Sequence, residues 1–355
     1  MSSFVSPKYT KAEVNRAGKI LVDGREHSAD EIMIAENIFA NWRASHAYPI
    51  NTFQATLRNR LKNVDNTAIV AQRLKRAPSI LAKLRRFPAM QLARMQDIGG
   101  LRAIVNSILS IRKLEKIYRA GSFQHELTTS KDYLDNPKDD GYRGIHLIYC
   151  YRNVKAQQYD GLRLELQIRT RLQHAWATAV ETIGTYLNQS LKSGEGSQEW
   201  KNFFTNVSAA FALKEQTRAV PGFEGYTQEE LGQFVAEAEK AIEALKNLRR
   251  YAQITEHIIK SNMTGRGNYF LIKRQISLKY KDKRITTIRR YSKNRLEEAN
   301  EEYRKVEKET GEGKPLDVVL VSADSIAALR KAYPNYFEDT TEFVKEIKKI
   351  MPQSK

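Results

Sequence analysis

The stretch "LRLELQIRT", residues 162–170, narrows the choice of fold more than any other part of the chain. Arg163, Glu165, Gln167 and Arg169 alternate with Leu164, Leu166 and Ile168. Strand side chains alternate between faces, so one face is apolar and the other carries four functional groups. Such a strand either lines a cleft or turns its polar face to water, and water is the commoner outcome for a single strand. A helical pattern, "RLQHAWATAVETIGTYL", follows at once.

The same alternation of element types runs through the chain. Residues 28–63 read as helices, with Ser28 as an N-cap. "NTAIVAQRLKR" reads as a strand whose end presents Arg73 and Lys75 on one face, and Pro78 suits the first turn of a helix after it. "GLRAIVNSI" and "GIHLIYCYRN" read as strands, with a helix between them closed by Gly121. Helices and strands mixed in this way argue for an α/β or α+β fold, of which we expect α+β: a mixed sheet flanked by helices. The polar run 188–199 reads as a loop. A capping box from Thr227 to Glu230 opens a helix expected to run to about Asn262. "NMTGRGN" then breaks the pattern, which places a domain boundary there: residues 1–262, then a small α/β domain at 263–355. The second domain is expected to hold two or three basic strands, a charged helix, the short strand "LDVVLVS" and a helical region over 324–350.

Charge narrows the partners. The 355 residues carry a formal net charge of +18. Nine Lys/Arg stand against one acid from Arg58 to Arg86, and eleven against one from Arg266 to Arg295. Two such concentrations favour a polyanionic partner, nucleotide phosphates or nucleic acid, over an acidic interaction module; a basic surface serving solubility is the plainer alternative. No apolar run is long enough to span a bilayer, and the N-terminal stretch has no apolar core of a signal peptide. With Cys150 as its one cysteine, the chain makes no internal disulfide, and a cytoplasmic location with no membrane partner is expected.

Three groups of residues carry candidate chemistry. Asp97, at the mouth of an apolar strand, and Glu165 are carboxylates suited to Mg²⁺ beside phosphates. Arg73, Lys75 and Lys83, with Ser79 near a helix N-terminus, could clamp a triphosphate, although nothing matches a P-loop. "NPKDDGYRGIHLIY", residues 136–149, gathers Lys138, Asp140, Tyr142, Arg143 and His146 around two glycines, more chemistry than the start of a strand requires. The six histidines form no ligand cluster, so no zinc is expected.

"RLKRAPSILAKL", "MQDIGGLRAIV", "NPKDDGYRGIHLIY" and "LELQIRTRLQHAWA" occur in this order over roughly residues 60–185. Together they resemble the synthetase domain of the RelA/SpoT alarmone synthetases. The resemblance implies a nucleotidyltransferase-like fold and a pyrophosphokinase that moves the β,γ-diphosphate of ATP onto a ribose 3′-hydroxyl. It implies that Arg73, Lys75 and Lys83 hold ATP, with Ser79 beside them at the helix N-terminus by the reading above. Asp97 and Glu165 would bind Mg²⁺, with Glu165 also taking the proton of the attacking hydroxyl. Tyr142 would stack on the acceptor base, with Lys138, Asp140, Arg143, His146, Gln167 and Arg169 around the acceptor. No "HD" pair is present, so synthesis without hydrolysis is expected.

Asp140 and Gly144 depart from the family's usual Asn and Ser. With the net charge, they point from free GDP or GTP toward the 3′-terminal adenosine of tRNA, the acceptor of a toxic subgroup. Residues from about 266 onward resemble the fused antitoxin region of the CapRel type. That resemblance implies that Tyr333 and Tyr336 plug the ATP pocket, with release by a phage protein. The spacing alone puts the two rings on one helical face, where a pair of core aromatics is the plainer reading. Its basic strands, with Tyr269, Tyr280 and Tyr291 interleaved, could instead bind RNA. A plain guanosine tetra- or pentaphosphate synthetase and an inactive RNA-binding protein are the alternatives.

Overall fold

The computed structural model describes residues 4–120, 123–187, 191, 196–253, 255–260, 269–276, 284–309, 316–323 and 325–352. Gly121, most of the 188–195 loop, the break at 262–268 and Tyr280 lie outside the described residues. Three helices come first: α1 (Lys11–Asp23), α2 (Ala29–Ser45) and α3 (Ala47–Leu61). Reciprocal capping boxes, Thr10 with Glu13 and Ser28 with Glu31, start α1 and α2. Then come β1 (Ile69–Leu74), α4 (Ala77–Arg86), β2 (Gly99–Val105), α5 (Ile108–Arg119), β3 (Glu126–Asp132), β4 (Ile145–Cys150) and β5 (Arg163–Thr170). Four helices follow, α6 (Arg171–Leu187), α7 (Gln198–Lys214), α8 (Gln228–Ile242) and α9 (Ala244–Gln253). The remainder is β6 (Thr255–Lys260), β7 (Tyr269–Ile276), β8 (Arg284–Tyr291), α10 (Leu296–Lys308), β9 (Leu316–Ser322), α11 (Ile326–Ala332) and α12 (Thr341–Ile350).

The described strands form one mixed sheet in the order β3-β4-β5-β2-β1-β9-β7-β8-β6. β2 and β5 run parallel, as do β6 and β8; the other neighbours are antiparallel. The α+β expectation holds. One core buries the apolar side of β2, β4 and β5 against α1, α3 and α5, around Phe53, Leu57, Leu101, Leu147, Leu164 and Leu166. A second core lies among α6, α7, α8, α9 and α12, around Trp176, Phe203, Phe211 and Phe343. The sheet's other face, between these cores, is where charged side chains collect.

Three expectations fail at particular residues. α8 stops at Ile242 because Glu243 turns left-handed (φ 47°), and residues 255–260 form β6 instead of helix. β6 precedes the expected boundary yet pairs with β8 beyond it. Within the expected helical region 324–350, α11 ends at Ala332 and Pro334 begins a separate 3₁₀ turn. Tyr333 and Tyr336 therefore both lie beyond the end of α11 and do not share a helical face. β3 was not expected from the sequence at all.

Candidate active site

Strand register brings the candidate residues together. Arg73 pairs with Gly100 and Gly100 with Glu165, which places these three in one row across β1, β2 and β5. In the next row Ala71, Arg102, Gln167 and His146 stand side by side across β1, β2, β5 and β4. The alternation read from residues 162–170 is thus realised as a cleft wall. A side chain at Gly100 would meet little, its Cβ coming no nearer than 3.9 Å to the Arg73 carbonyl oxygen. That leaves room above the strand between Arg73 and Glu165.

Glu165 is held at both oxygens: His146 Nδ1 lies 2.8 Å from Oε1, and Gln167 Nε2 donates to Oε2 at 2.8 Å. Arg169 Nη2 donates to the Tyr142 hydroxyl at 2.6 Å, and that hydroxyl lies 2.5 Å from His146 Nε2. Arginine only donates and carboxylate only accepts, so the chain runs one way: Arg169 to Tyr142, Tyr142 to His146 Nε2, His146 Nδ1–H to Glu165. Burial works to raise the Glu165 carboxyl, but the His146 and Gln167 hydrogen bonds and the nearby Arg169 outweigh it and bring the pKa to about 2. Burial likewise opposes ionisation of Asp97, and Lys75 and Lys83 override it to hold its carboxyl below the usual value. Lys75 Nζ sits 2.5 Å from Asp97 Oδ2 and Lys83 Nζ 3.1 Å from Oδ1. Both carboxylates are therefore ionised, and the Glu165 charge works against ionisation at Asp97 without preventing it.

The side expected from the sequence to hold ATP comprises β1 and α4. Pro78 stands in the first turn of α4, and Ser79 follows it, half-buried. Arg102, which sequence reasoning passed over, lies half-buried on the same face; loss of hydration and the nearby Arg169 and Arg73 lower its pKa to about 10. An arginine within the apolar run "GLRAIV" was the signal for it.

The residues expected to surround the acceptor line a cavity of about 510 Å³: Lys138, Asp140, Tyr142, His146, Gln167 and Arg169. Its far wall comes from α6 and α7, with Trp176, Lys201, Asn202 and Phe204. This wall was not foreseen, because nothing local in "KNFFTNV" marks it as facing a cleft. Tyr142 is flanked by two cations, Arg169 Cζ at 4.9 Å and Lys138 Nζ at 5.3 Å from its ring centre. Tyr133 meets both Tyr142 and His146 edge-on and was also passed over.

Three members of the 136–149 stretch turn out to shape the backbone. Arg143 is not brought into the cleft; 3% exposed, it pairs with Glu215 at 2.8 Å and ties the segment to the end of α7. Asp140 lines the cavity, but its Oδ1 accepts the Tyr142 amide at 2.9 Å. Gly144 has φ +142°, and a Cβ there would come within 3.2 Å of Arg169 Cγ and the Ile168 carbonyl. Backbone geometry thus suffices to require glycine at 144.

The C-terminal elements reach the donor side. β9 pairs with β1 at Arg73–Val321. The Tyr333 hydroxyl accepts the Gln72 amide at 2.8 Å and donates to the Gln72 carbonyl. Tyr333 and Tyr336 are buried in one cluster with Ala71, and burial raises both hydroxyl pKa values against the nearby positive charge of Arg73.

The two carboxylates suit a hard divalent cation. Among the described residues no three His, Cys, Asp or Glu side chains converge, but Mg²⁺ uses only one or two protein carboxylates and takes phosphate oxygens and water besides. Among the described residues no helix is long and apolar enough to cross a membrane.

Residues 72–190 match the family model described as "Region found in RelA / SpoT proteins". An uncharacterized protein of Mycobacterium tuberculosis is 29% identical over 196 residues, 54% of this chain and 65% of that protein. A GTP pyrophosphokinase of Bacillus subtilis is 32% identical over 116 residues, 32% of this chain and 54% of the relative. The chain thus spans less than two thirds of the length of these relatives. Among solved structures, the small alarmone synthetase 1 of Bacillus subtilis bound to its product pppGpp is similar, with TM-score 0.40 and 25% identity. The alignment covers 48% of this chain and 89% of that one.

Proposed function

We propose that this chain, whose residues 72–190 are a RelA/SpoT region, is an ATP-dependent pyrophosphokinase. The observation that carries the reading is the row Arg73–Gly100–Glu165, with Asp97 beside it, standing between the donor-side cations and the acceptor cavity. Transfer of this kind is mostly positioning and neutralisation of charge. Arg73, Lys75, Ser79 and Lys83 hold the triphosphate of ATP. Tyr142 stacks on the acceptor base once Lys138 or Arg169 gives way, with the remaining cavity cations near acceptor phosphate. The acceptor's 3′-oxygen attacks the β-phosphorus, the bond from that phosphorus to the α–β bridging oxygen breaks, and AMP leaves. Glu165, kept ionised by His146 and Gln167, takes the hydroxyl proton. Mg²⁺ held by Asp97 and Glu165 would supply neutralisation of the phosphate charge.

The acceptor we favour is the 3′-terminal adenosine of tRNA, for which the net charge of +18 is the support. On this reading the chain is a translation-blocking toxin restrained by its own residues 263–355, with Tyr333 and Tyr336 over the donor side and a phage-encoded protein as trigger. A second reading, synthesis of guanosine tetra- or pentaphosphate from GDP or GTP, gains from the backbone roles of Asp140 and Gly144, which no longer argue against a guanosine nucleotide. Incubation with γ-labelled ATP and either bulk tRNA or GDP separates the two. Label on tRNA supports the first, and label on GDP alone rejects it.

A further inference from the structure

We infer that Glu307 and Asp317 stand in for the phosphates of the donor nucleotide, so that the C-terminal elements hold the donor side shut with carboxylates as well as with rings. This rests on the reading of β1 and α4 as a triphosphate site. α4 has no side-chain cap of its own at Arg76. Its first amide, Ala77 N–H, donates instead to Glu307 Oε1 at 3.0 Å, across 230 residues of sequence. The other Glu307 oxygen accepts from Arg43 Nη1 at 2.6 Å, and the Tyr303 hydroxyl completes the group. Arg43 Nε donates to the Lys75 carbonyl at 2.6 Å, fixing that guanidinium to the turn between β1 and α4. One step away, Asp317 joins Arg76 to Arg274, with Arg274 Nη2 at 3.0 Å.

Glu307 and Arg43 are almost wholly buried, with side chains 10% and 6% exposed. A buried ion pair is a weak source of net stability, because desolvating both charges offsets their attraction. What such a pair does provide is a position that another anion can take. A helix amide and two guanidiniums are the donors a phosphate chain recognises. The tyrosines meanwhile occupy the surface over Ala71, in reach of the charges of Arg73 and Arg102. The cover therefore divides in two: rings against Ala71 and Gln72 of β1, and acids at the first turn of α4, where a phosphate chain would meet the helix amide. A polyphosphate without a base competes with the acids alone.

The test is calorimetric titration of Mg²⁺ with inorganic tripolyphosphate into the full chain, its Glu307→Gln/Asp317→Asn variant and its Tyr333→Ala variant. Glutamine and asparagine keep an acceptor oxygen for each arginine, which favours retention of the fold; Glu307→Gln alone is measured in parallel should the double variant not fold. Tripolyphosphate is expected to bind the carboxamide variant about tenfold more tightly than the parent. Hydrogen exchange over 296–308 is expected to accelerate when it binds the parent. Equal tripolyphosphate affinity in parent and carboxamide variants, with a non-hydrolysable ATP analogue binding Tyr333→Ala more tightly than the parent, overturns the inference and leaves the donor-site reading standing. Failure of the analogue to bind any of these proteins removes the donor-site reading and the inference with it.

Discussion

The two halves of the cleft are built from adjacent strands of one sheet and end differently. On the acceptor half, β4 and β5 face α6 and α7 across a cavity of about 510 Å³. On the donor half, β1 and α4 are covered: Tyr333 bonds the main chain of Gln72, Glu307 takes the first amide of α4, and Asp317 pairs with Arg76. The acceptor half is closed by residues near in sequence to its own strands, the donor half by residues more than two hundred positions away. A cover of that origin can be lifted without rebuilding the cleft. α12 is differently placed, since Phe343 is buried in the second core and Glu346 pairs with Lys214 of α7. On the proposed reading, α12 stays docked while the tyrosines and acids release.

The largest effect is expected where the halves meet. Glu165→Gln removes the proton acceptor and should lower single-turnover transfer by roughly a thousandfold. Affinity for both substrates, measured separately, should change much less. Transfer at the parent's rate removes the enzymatic assignment. Next comes the donor half. Tyr333→Ala removes a buried ring and both bonds to Gln72, a loss of about 3 kcal/mol from the closed arrangement. Growth of cells expressing the variant should be poorer than with the parent under equal induction; equal growth counts against the cover.

On the acceptor half, Tyr142→Ala should raise the acceptor KM about tenfold, the stacking contribution of one base. The affinity for an ATP analogue should stay unchanged. A matching loss on the donor side would mean that the halves are not separable at Tyr142.

The smallest effect concerns the scaffold behind the donor half. Burial, aided by the Arg43 charge, lowers the His46 pKa from 6.5 to about 4. The folded state binds this proton less readily than the unfolded one, so the contribution to stability is full above pH 6.5 and declines as pH falls toward 4. Between pH 6.5 and 5 the parent should lose about 1.5 kcal/mol that a His46→Asn variant does not lose. Denaturant titrations of both proteins at the two pH values measure this, and parallel losses would contradict the assignment.

What the sequence made legible followed local rules. The alternation over 162–170 placed Glu165, Gln167 and Arg169 on one face, and Ser28 as an N-cap marked the start of α2. β3 escaped because "ELTTSKD" has a single apolar side chain larger than alanine, as an edge strand permits. β6 escaped because "ITEHIIK" continues the helical apolar spacing of α9, and only the pairing with β8 shows otherwise. Within the 136–149 segment no local pattern said which of Tyr142 and Arg143 would face the cleft; Glu215, 72 residues on, draws Arg143 the other way. The α7 wall and Glu307 depend on contacts over long sequence separations, which no local pattern announces.

The separation of an open acceptor half from a covered donor half is tested most directly by titrating a non-hydrolysable ATP analogue and a non-reactive acceptor into the parent and the Tyr333→Ala/Tyr336→Ala variant. The account predicts that the variant binds the ATP analogue about a hundredfold more tightly, the equivalent of 2.7 kcal/mol, and the acceptor as the parent does. Equal affinity of the two proteins for the ATP analogue would contradict it.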